Sequence, residues 1–186
     1  MAILLAGCAG SPDQPAPPPP AAPQTLAWIE KAEEQQQLRQ YHQARLLYIR
    51  AKREAPDDNS RGWAALEYGR ALIFWGEYES ARRELAEGVE LRPTDPAGWH
   101  DLGMVAYQAR DPAAAERAFR RSIAIDPDDH RSHLALSALL TNAGRLDEAI
   151  GELQAARPHA PPELRAKIDE GIALLRKEKQ LRGRPR

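Results

Sequence analysis

Three prolines, Pro93, Pro127 and Pro161, recur at intervals of 34 residues, and Pro56 precedes them by 37. A fixed period of this length constrains a chain more than any single motif, because each unit must bury its apolar face against the next. Small residues stand 12 places before each proline, at Ala44, Ala81, Ala115 and Ala149, and again 24 places before, at Ala32, Gly69, Gly103 and Ser137. Large residues, Tyr48, Leu85, Phe119 and Leu153, stand eight places before. Two antiparallel helices approach closely only where small side chains face each other, and a bulky neighbour fills the space beside them. Each proline then ends the second helix of its pair.

The spacing predicts helix pairs over 25–38 and 41–54, 61–75 and 78–91, 96–109 and 112–125, and 130–143 and 146–157. Asp95-Pro96 and Asp111-Pro112 read as an N-cap followed by a proline in the first turn, while Gly76 and Gly144 fall where first helices should stop. Asn59, Ser60 and Arg61 are the extra residues that stretch the first interval. Residues 163–179 place Leu164, Ile168, Ile172 and Leu175 on one helical face, which suits a helix that closes the end of a stack. Only 6% of the chain is aromatic against 42% apolar overall, and alanine is abundant, which favours packed helices over a sheet.

These positions resemble the tetratricopeptide repeat, best seen in Trp99-His-Asp-Leu102-Gly103 followed by Ala115, Phe119 and Pro127. The resemblance implies an all-α solenoid of four helix-turn-helix repeats over 25–161 (25–58, 62–95, 96–129 and 130–163), with a capping helix and basic tail over 162–186. Repeat one departs most, with Lys31 where Leu is usual and Arg39 where Gly is usual, as an end repeat can.

By the same resemblance the first helix of each pair lines a concave, ligand-binding side. Repeat two would contribute Trp63, Leu66, Arg70, Ile73 and Phe74; repeat three His100, Met104, Tyr107 and Gln108; repeat four Leu134 and Asn142. A groove that is mostly apolar and aromatic, with a methionine and a few polar groups, suits an amphipathic helix of a protein partner. Trp63, Phe74 and the adjacent Trp75 have an alternative as core between repeats. The family's two-carboxylate clamp of Lys and Asn is replaced here by Leu66, Arg70, Asp101 and Arg131, which disfavours capture of a chaperone tail.

The first residues carry a different signal. The run before Cys8 is five apolar residues, far short of the roughly 20 that span a bilayer as a helix. Leu5-Ala6-Gly7-Cys8 resembles the lipobox of bacterial lipoproteins, which implies that residues 1–7 are a shortened signal segment and that Cys8 carries the lipid. No Lys or Arg precedes the apolar run, so the true start is expected upstream. Residues 8–24 hold seven of the chain's 16 prolines and predict a disordered, extended tether. Ala9 after the cysteine implies sorting to the outer membrane, with the repeats in the periplasm.

Other functions find little support. The chain has 26 basic and 27 acidic residues, a balance that argues against nucleic acid as an obligate partner. One cysteine excludes an intrachain disulfide and a multi-cysteine zinc site. No nucleophile elbow, zinc-protease or phosphate-loop motif occurs, so no catalysis, cofactor or metal is expected. His130, His133 and the nearby His100 read as surface or capping residues rather than a metal site. Asp126-Pro-Asp-Asp129 reads as a helix cap. The basic end, Arg176 to Arg186, reads as a favourable helix terminus with a frayed tail.

The architecture most resembles the TadD-like lipoproteins of tight-adherence (Flp) pilus systems. That resemblance implies a pilotin that binds a secretin segment in the groove while the lipid on Cys8 holds it at the outer membrane. Two alternatives stand beside it: an adaptor lipoprotein for peptidoglycan enzymes, and a cytoplasmic repeat chaperone.

Overall fold

The computed structural model describes residues 16–182, which form nine helices and no strand. They are α1 (Pro23–Gln37), α2 (Tyr41–Arg53), α3 (Asp58–Phe74), α4 (Tyr78–Leu91), α5 (Pro96–Gln108), α6 (Pro112–Ile125), α7 (His130–Asn142), α8 (Leu146–His159) and α9 (Pro162–Arg182). Carboxylates cap the helices that open repeats two to four, where Asp57 accepts from Ser60 N, Asp95 from Gly98 N and Asp129 from Arg131 N, and Asp111 caps the second helix of repeat three by accepting from Ala114 N. Arg39, Gly76, Arg110 and Gly144 follow the first helix of each pair, and all four take positive φ, between 58° and 79°. That left-handed residue reverses the chain into the second helix, and two repeats achieve it with arginine in place of glycine.

The periodic small and large residues meet as their spacing requires. A Cβ added at Gly69 would lie 2.7 Å from Leu85 Cδ2, and one at Gly103 would lie 2.6 Å from Phe119 Cε1. Helices within a pair therefore touch backbone to side chain, and Ser137 fills the same place in α7, donating to Ala149 O at 2.9 Å. Consecutive helices pack along the whole stack. The backbones of α1, α3, α5 and α7 each also approach the next of these four, whereas the even-numbered helices meet one another only through side chains. The odd helices thus form the tighter, inner layer of a curved solenoid.

Two hydrophobic clusters share the interior, one running from Ile29 to Val105 and the other from Ala106 to Leu175. They meet on α5, at the adjacent residues Val105 and Ala106. Ile168, Ile172 and Leu175 of α9 are buried against the second cluster, and Leu164 is half-buried beside them. Lys179 reaches back to Asp147 on α8 at 2.5 Å, and the helix runs on to Arg182.

The tether and the first interval differ from expectation. α3 begins at Asp58, so Asn59, Ser60 and Arg61 form its first turn instead of lengthening a loop. Residues read as the end of a free linker are docked on that turn: Asn59 Nδ2 donates to Pro19 O and Pro20 O, and Ala22 N donates to Ser60 Oγ at 2.9 Å. Ala21 and Thr25 are buried. Proline lacks the N–H but keeps its carbonyl acceptor, and here those carbonyls meet side-chain donors. Arg92 completes the grip, its guanidinium donating to Pro19 O at 3.1 Å and to Asn59 Oδ1, with Asp95 at 3.3 Å and the Trp63 ring 4.7 Å away.

Candidate partner-binding groove

The inner layer is built from α1, α3, α5 and α7, and each later pair of these helices is tied by a polar link. Between α3 and α5, Arg70 Nε donates to Asp101 Oδ2 at 2.7 Å while Nη1 reaches Glu67 Oε1 at 2.5 Å. Between α5 and α7, His100 Nδ1 lies 3.0 Å from Ser132 Oγ, and Asn142 Nδ2 donates to the Tyr107 hydroxyl at 2.8 Å. These links fix the spacing of the helices and hold polar groups in place on the concave side.

Burial shifts the ionisation of this surface. It pushes the Glu67 carboxyl above its usual range, against the opposing pull of Arg70. For Arg70, burial alone would lower the guanidinium, but Glu67 and Asp101 outweigh it and leave it raised. Burial lowers the His100 imidazole, which therefore favours the neutral ring. Between α1 and α3 a recess of about 260 Å³ is lined by Glu33, Gln36, Tyr48, Glu67, Arg70 and Phe74. Gln36 Oε1 is buried at its edge without a donor.

The eleven residues expected to line the groove divide into three groups. Phe74, Met104 and Tyr107 are exposed, at 68%, 37% and 39%, and Gln108 and Asn142 are exposed beside them. Trp63, Arg70, Ile73, His100 and Leu134 are half-buried, with Trp63 and Ile73 packed on the first core and Leu134 on the second. Leu66 corrects the expectation outright: it is 1% exposed and belongs to the core. Its side chain lies where Gly88 and Gly98 leave room between α4 and α5, so the position that was taken as groove is a wall. Trp75 is half-buried against the first core, packed with Tyr41, Tyr48 and Tyr68, whereas Phe74 is not. Cys8 lies outside the described residues.

His133 departs from the surface or capping place expected of it. His133 is buried, with Nδ1 2.7 Å from Glu152 Oε2 and Nε2 3.0 Å from Pro127 O. Asp129 caps α7 and accepts from Ser132 Oγ at 2.8 Å, as its place in the acidic turn predicts. No group of three or more His, Cys, Asp or Glu among the described residues is arranged to hold a metal ion.

Residues 66–130 and 100–163 match the profile of the tetratricopeptide repeat, together more than half of the chain, and the protein belongs to that family. Over 123 residues, 66% of this chain, it is 35% identical to cellulose synthase operon protein C of Xanthomonas axonopodis pv. citri (strain 306), of which it spans 8%. Over 101 residues, 54% of this chain, it is 30% identical to cellulose synthase 2 operon protein C of Komagataeibacter xylinus, of which it spans 7%. The chain therefore covers less than a tenth of either relative's length. Among solved structures, MamA superposes with a TM-score of 0.73 at 20% identity, covering 85% of this chain and 84% of that one. YrrB, described as a TPR protein with an unusual peptide-binding site, gives 0.68 at 18% identity, covering 86% and 79%. The Yersinia enterocolitica type III secretion chaperone SycD, in complex with a peptide of the translocator YopD, gives 0.58 at 18% identity, covering 62% and 92%. These structural likenesses establish the fold, a tetratricopeptide solenoid.

Proposed function

We propose that this chain is a non-catalytic docking protein that holds a segment of another protein along its concave face. The observation that carries this reading is the exposure of Phe74, Met104 and Tyr107 on a surface whose polar groups are already fixed by Arg70–Asp101 and Asn142–Tyr107. Burial of such apolar groups gives affinity, and the recess beside them offers Gln36 Oε1 and the carboxylates of Glu33 and Glu67 to an N–H or cationic side chain of the partner. One solved tetratricopeptide structure carries a peptide and another is named for a peptide-binding site, which supports a peptide segment as the occupant.

The fuller reading adds a lipid on Cys8 that holds the repeats at a bacterial outer membrane, facing the periplasm, with the secretin of a tight-adherence pilus as partner. Leu5-Ala6-Gly7-Cys8 and the proline-rich run support the anchor, and the pilotin role rests on the resemblance of the architecture. Because the strap is gripped at Pro19, 11 residues separate that grip from Cys8. Likeness to cellulose synthase operon protein C favours a second reading, in which the partner belongs to a polysaccharide synthase assembly.

Two variants test these steps separately. Phe74→Glu with Tyr107→Glu should remove the near-stoichiometric partner from a crosslinked envelope pull-down while circular dichroism stays helical; retained partner would overturn the groove. The partner's identity then chooses between secretin and synthase, and a scatter of peptidoglycan enzymes would favour an adaptor. Cys8→Ser should release the protein from the membrane fraction, and a variant that moves nowhere refutes the anchor.

A further inference from the structure

The even-numbered helices form the outer layer, and three seams separate them. The first, between α2 and α4, is bridged by Lys52 Nζ, 2.5 Å from Glu84 and 2.7 Å from Glu87, and by Arg45 with Glu77 at the start of α4. The third, between α6 and α8, is bridged by Arg145 to Glu116 at 2.7 Å and Arg120 to Glu148 at 3.3 Å. No ion pair among the described residues crosses the middle seam, between α4 and α6. It stands open as a trough of about 720 Å³.

The repeat itself accounts for this difference. One period of 34 residues after Glu84 and Glu87, which bridge the first seam, the chain has Ala118 and Arg121; one period later again, Glu152 replaces Ala118 and pairs with His133. Repeat three has thus exchanged a bridging acid for a small apolar residue and the other acid for a cation. The trough floor is Trp99 and Leu102 of α5, with Ala86, Ala114 and Ala118 as its walls. Arg82, Arg117 and Arg121 line its edges. Arg82 has Glu79 at 3.4 Å, and the Asp111 carboxylate is occupied by Ala114 N, but Arg117 and Arg121 meet no acid among the described residues. Their helix neighbour Arg120, by contrast, pairs with Glu116 and Glu148.

We infer that the α4–α6 seam is a second docking surface, taking an acidic amphipathic helix from a partner protein. Alanine walls allow the backbone of a third helix to approach closely, and Trp99 and Leu102 offer it an apolar floor. Arg117 and Arg121, one turn apart and about 6 Å along the helix axis, match carboxylates spaced four residues apart on the incoming helix. The surface is separate from the concave groove: at 100° per residue, Trp99, Leu102 and Ala106 are centred about 130° around α5 from His100, Met104 and Tyr107. The solenoid can accordingly hold two segments at once, one on each side of repeat three.

The test uses a stapled, fluorescein-labelled helix of about 15 residues with Leu and Ala on one face and Glu on the other, and its Lys counterpart. At low salt the Glu helix should bind at least about tenfold more tightly than the Lys helix. Arg117→Glu with Arg121→Glu should reverse that order. Both residues are exposed, so the variant should stay helical. Binding should also shift the Trp99 indole N–H resonance and survive Phe74→Glu with Tyr107→Glu. Equal affinity for the two peptides, no binding of either, or loss of binding in the groove variant instead of the arginine variant would each overturn the proposal. Sedimentation showing a dimer that the arginine variant abolishes would overturn it in favour of a second copy of this chain.

Discussion

Where α5 crosses α6, the fit depends on an atom that Gly103 lacks. Phe119 is 1% exposed, and the His100 ring packs on it with centroids 5.8 Å apart, so it has nowhere to retreat from a new methyl group. Gly103→Ala should therefore destabilise the protein by about 1–3 kcal/mol from overpacking, less up to about 1 kcal/mol gained in helix propensity. Urea unfolding with an unchanged m-value would measure it, and a variant as stable as the parent would show that Phe119 can yield. His133 gives a second test at this scale. Its two nitrogens face Glu152 and the Pro127 carbonyl, so the protonated ring satisfies both, and Glu152 raises it above its ordinary value in spite of burial. A histidine raised on folding contributes stability that is complete below its unfolded value of about 6.5 and is lost as pH rises through the folded one. His133→Gln should cost more stability at pH 6 than at pH 8. In the NMR titration, His133 should titrate above His100, which burial moves the other way. Equal costs at both pH values would show that the charge contributes nothing.

Arg92 belongs to the scale of elements, because it joins the strap before α1 to the first turn of α3 and the end of α4. Its side chain is 1% exposed and meets two backbone or side-chain oxygens, the Asp95 carboxylate and the face of Trp63. Arg92→Met should cost about 3 kcal/mol, since it leaves the buried Asp95 carboxylate with only its capping bond to Gly98 N. Hydrogen exchange should localise the loss to residues 19–37, and uniform loss along the chain would contradict a local strap. The strap also marks where reading the sequence stopped. The helices were legible because the small and large residues that pack them repeat with the prolines, and each side of a contact such as Gly103–Phe119 carries its own signature. Proline-rich composition carries no such signature for docking: its carbonyls become ligands only because Asn59 and Arg92, 33 residues apart, meet at one place. Leu66 was misplaced for a related reason. Repeat position indicates which way a side chain starts, but Gly88 and Gly98 on two other helices decide that it ends in the core.

Over the whole molecule, stability is a sum of neighbour contacts, because no helix of the first repeat touches one of the last. That makes the ends as important as the middle. The strap covers one end, and α9 covers the other by burying Ile168, Ile172 and Leu175 against α8. Each such side chain contributes roughly 1.5–3 kcal/mol when taken from water. Removing residues 162–186 would lose all three and uncover the apolar face of α8 that they shield, including Ala156 and Ala160. Because α9 packs only on α8, the damage should decay along the stack. Exchange protection should fall most in α7 and α8, less in α5 and α6, and hardly at all in α3 and α4, where the first core is closed by its own contacts. Both proposed docking faces of repeat three would then persist in the shortened chain, weakened in proportion to the loss in α5 and α6. If α3 lost protection as fully as α8, the two cores joined at Val105 and Ala106 would be acting as one cooperative unit, and the neighbour-by-neighbour description would fail.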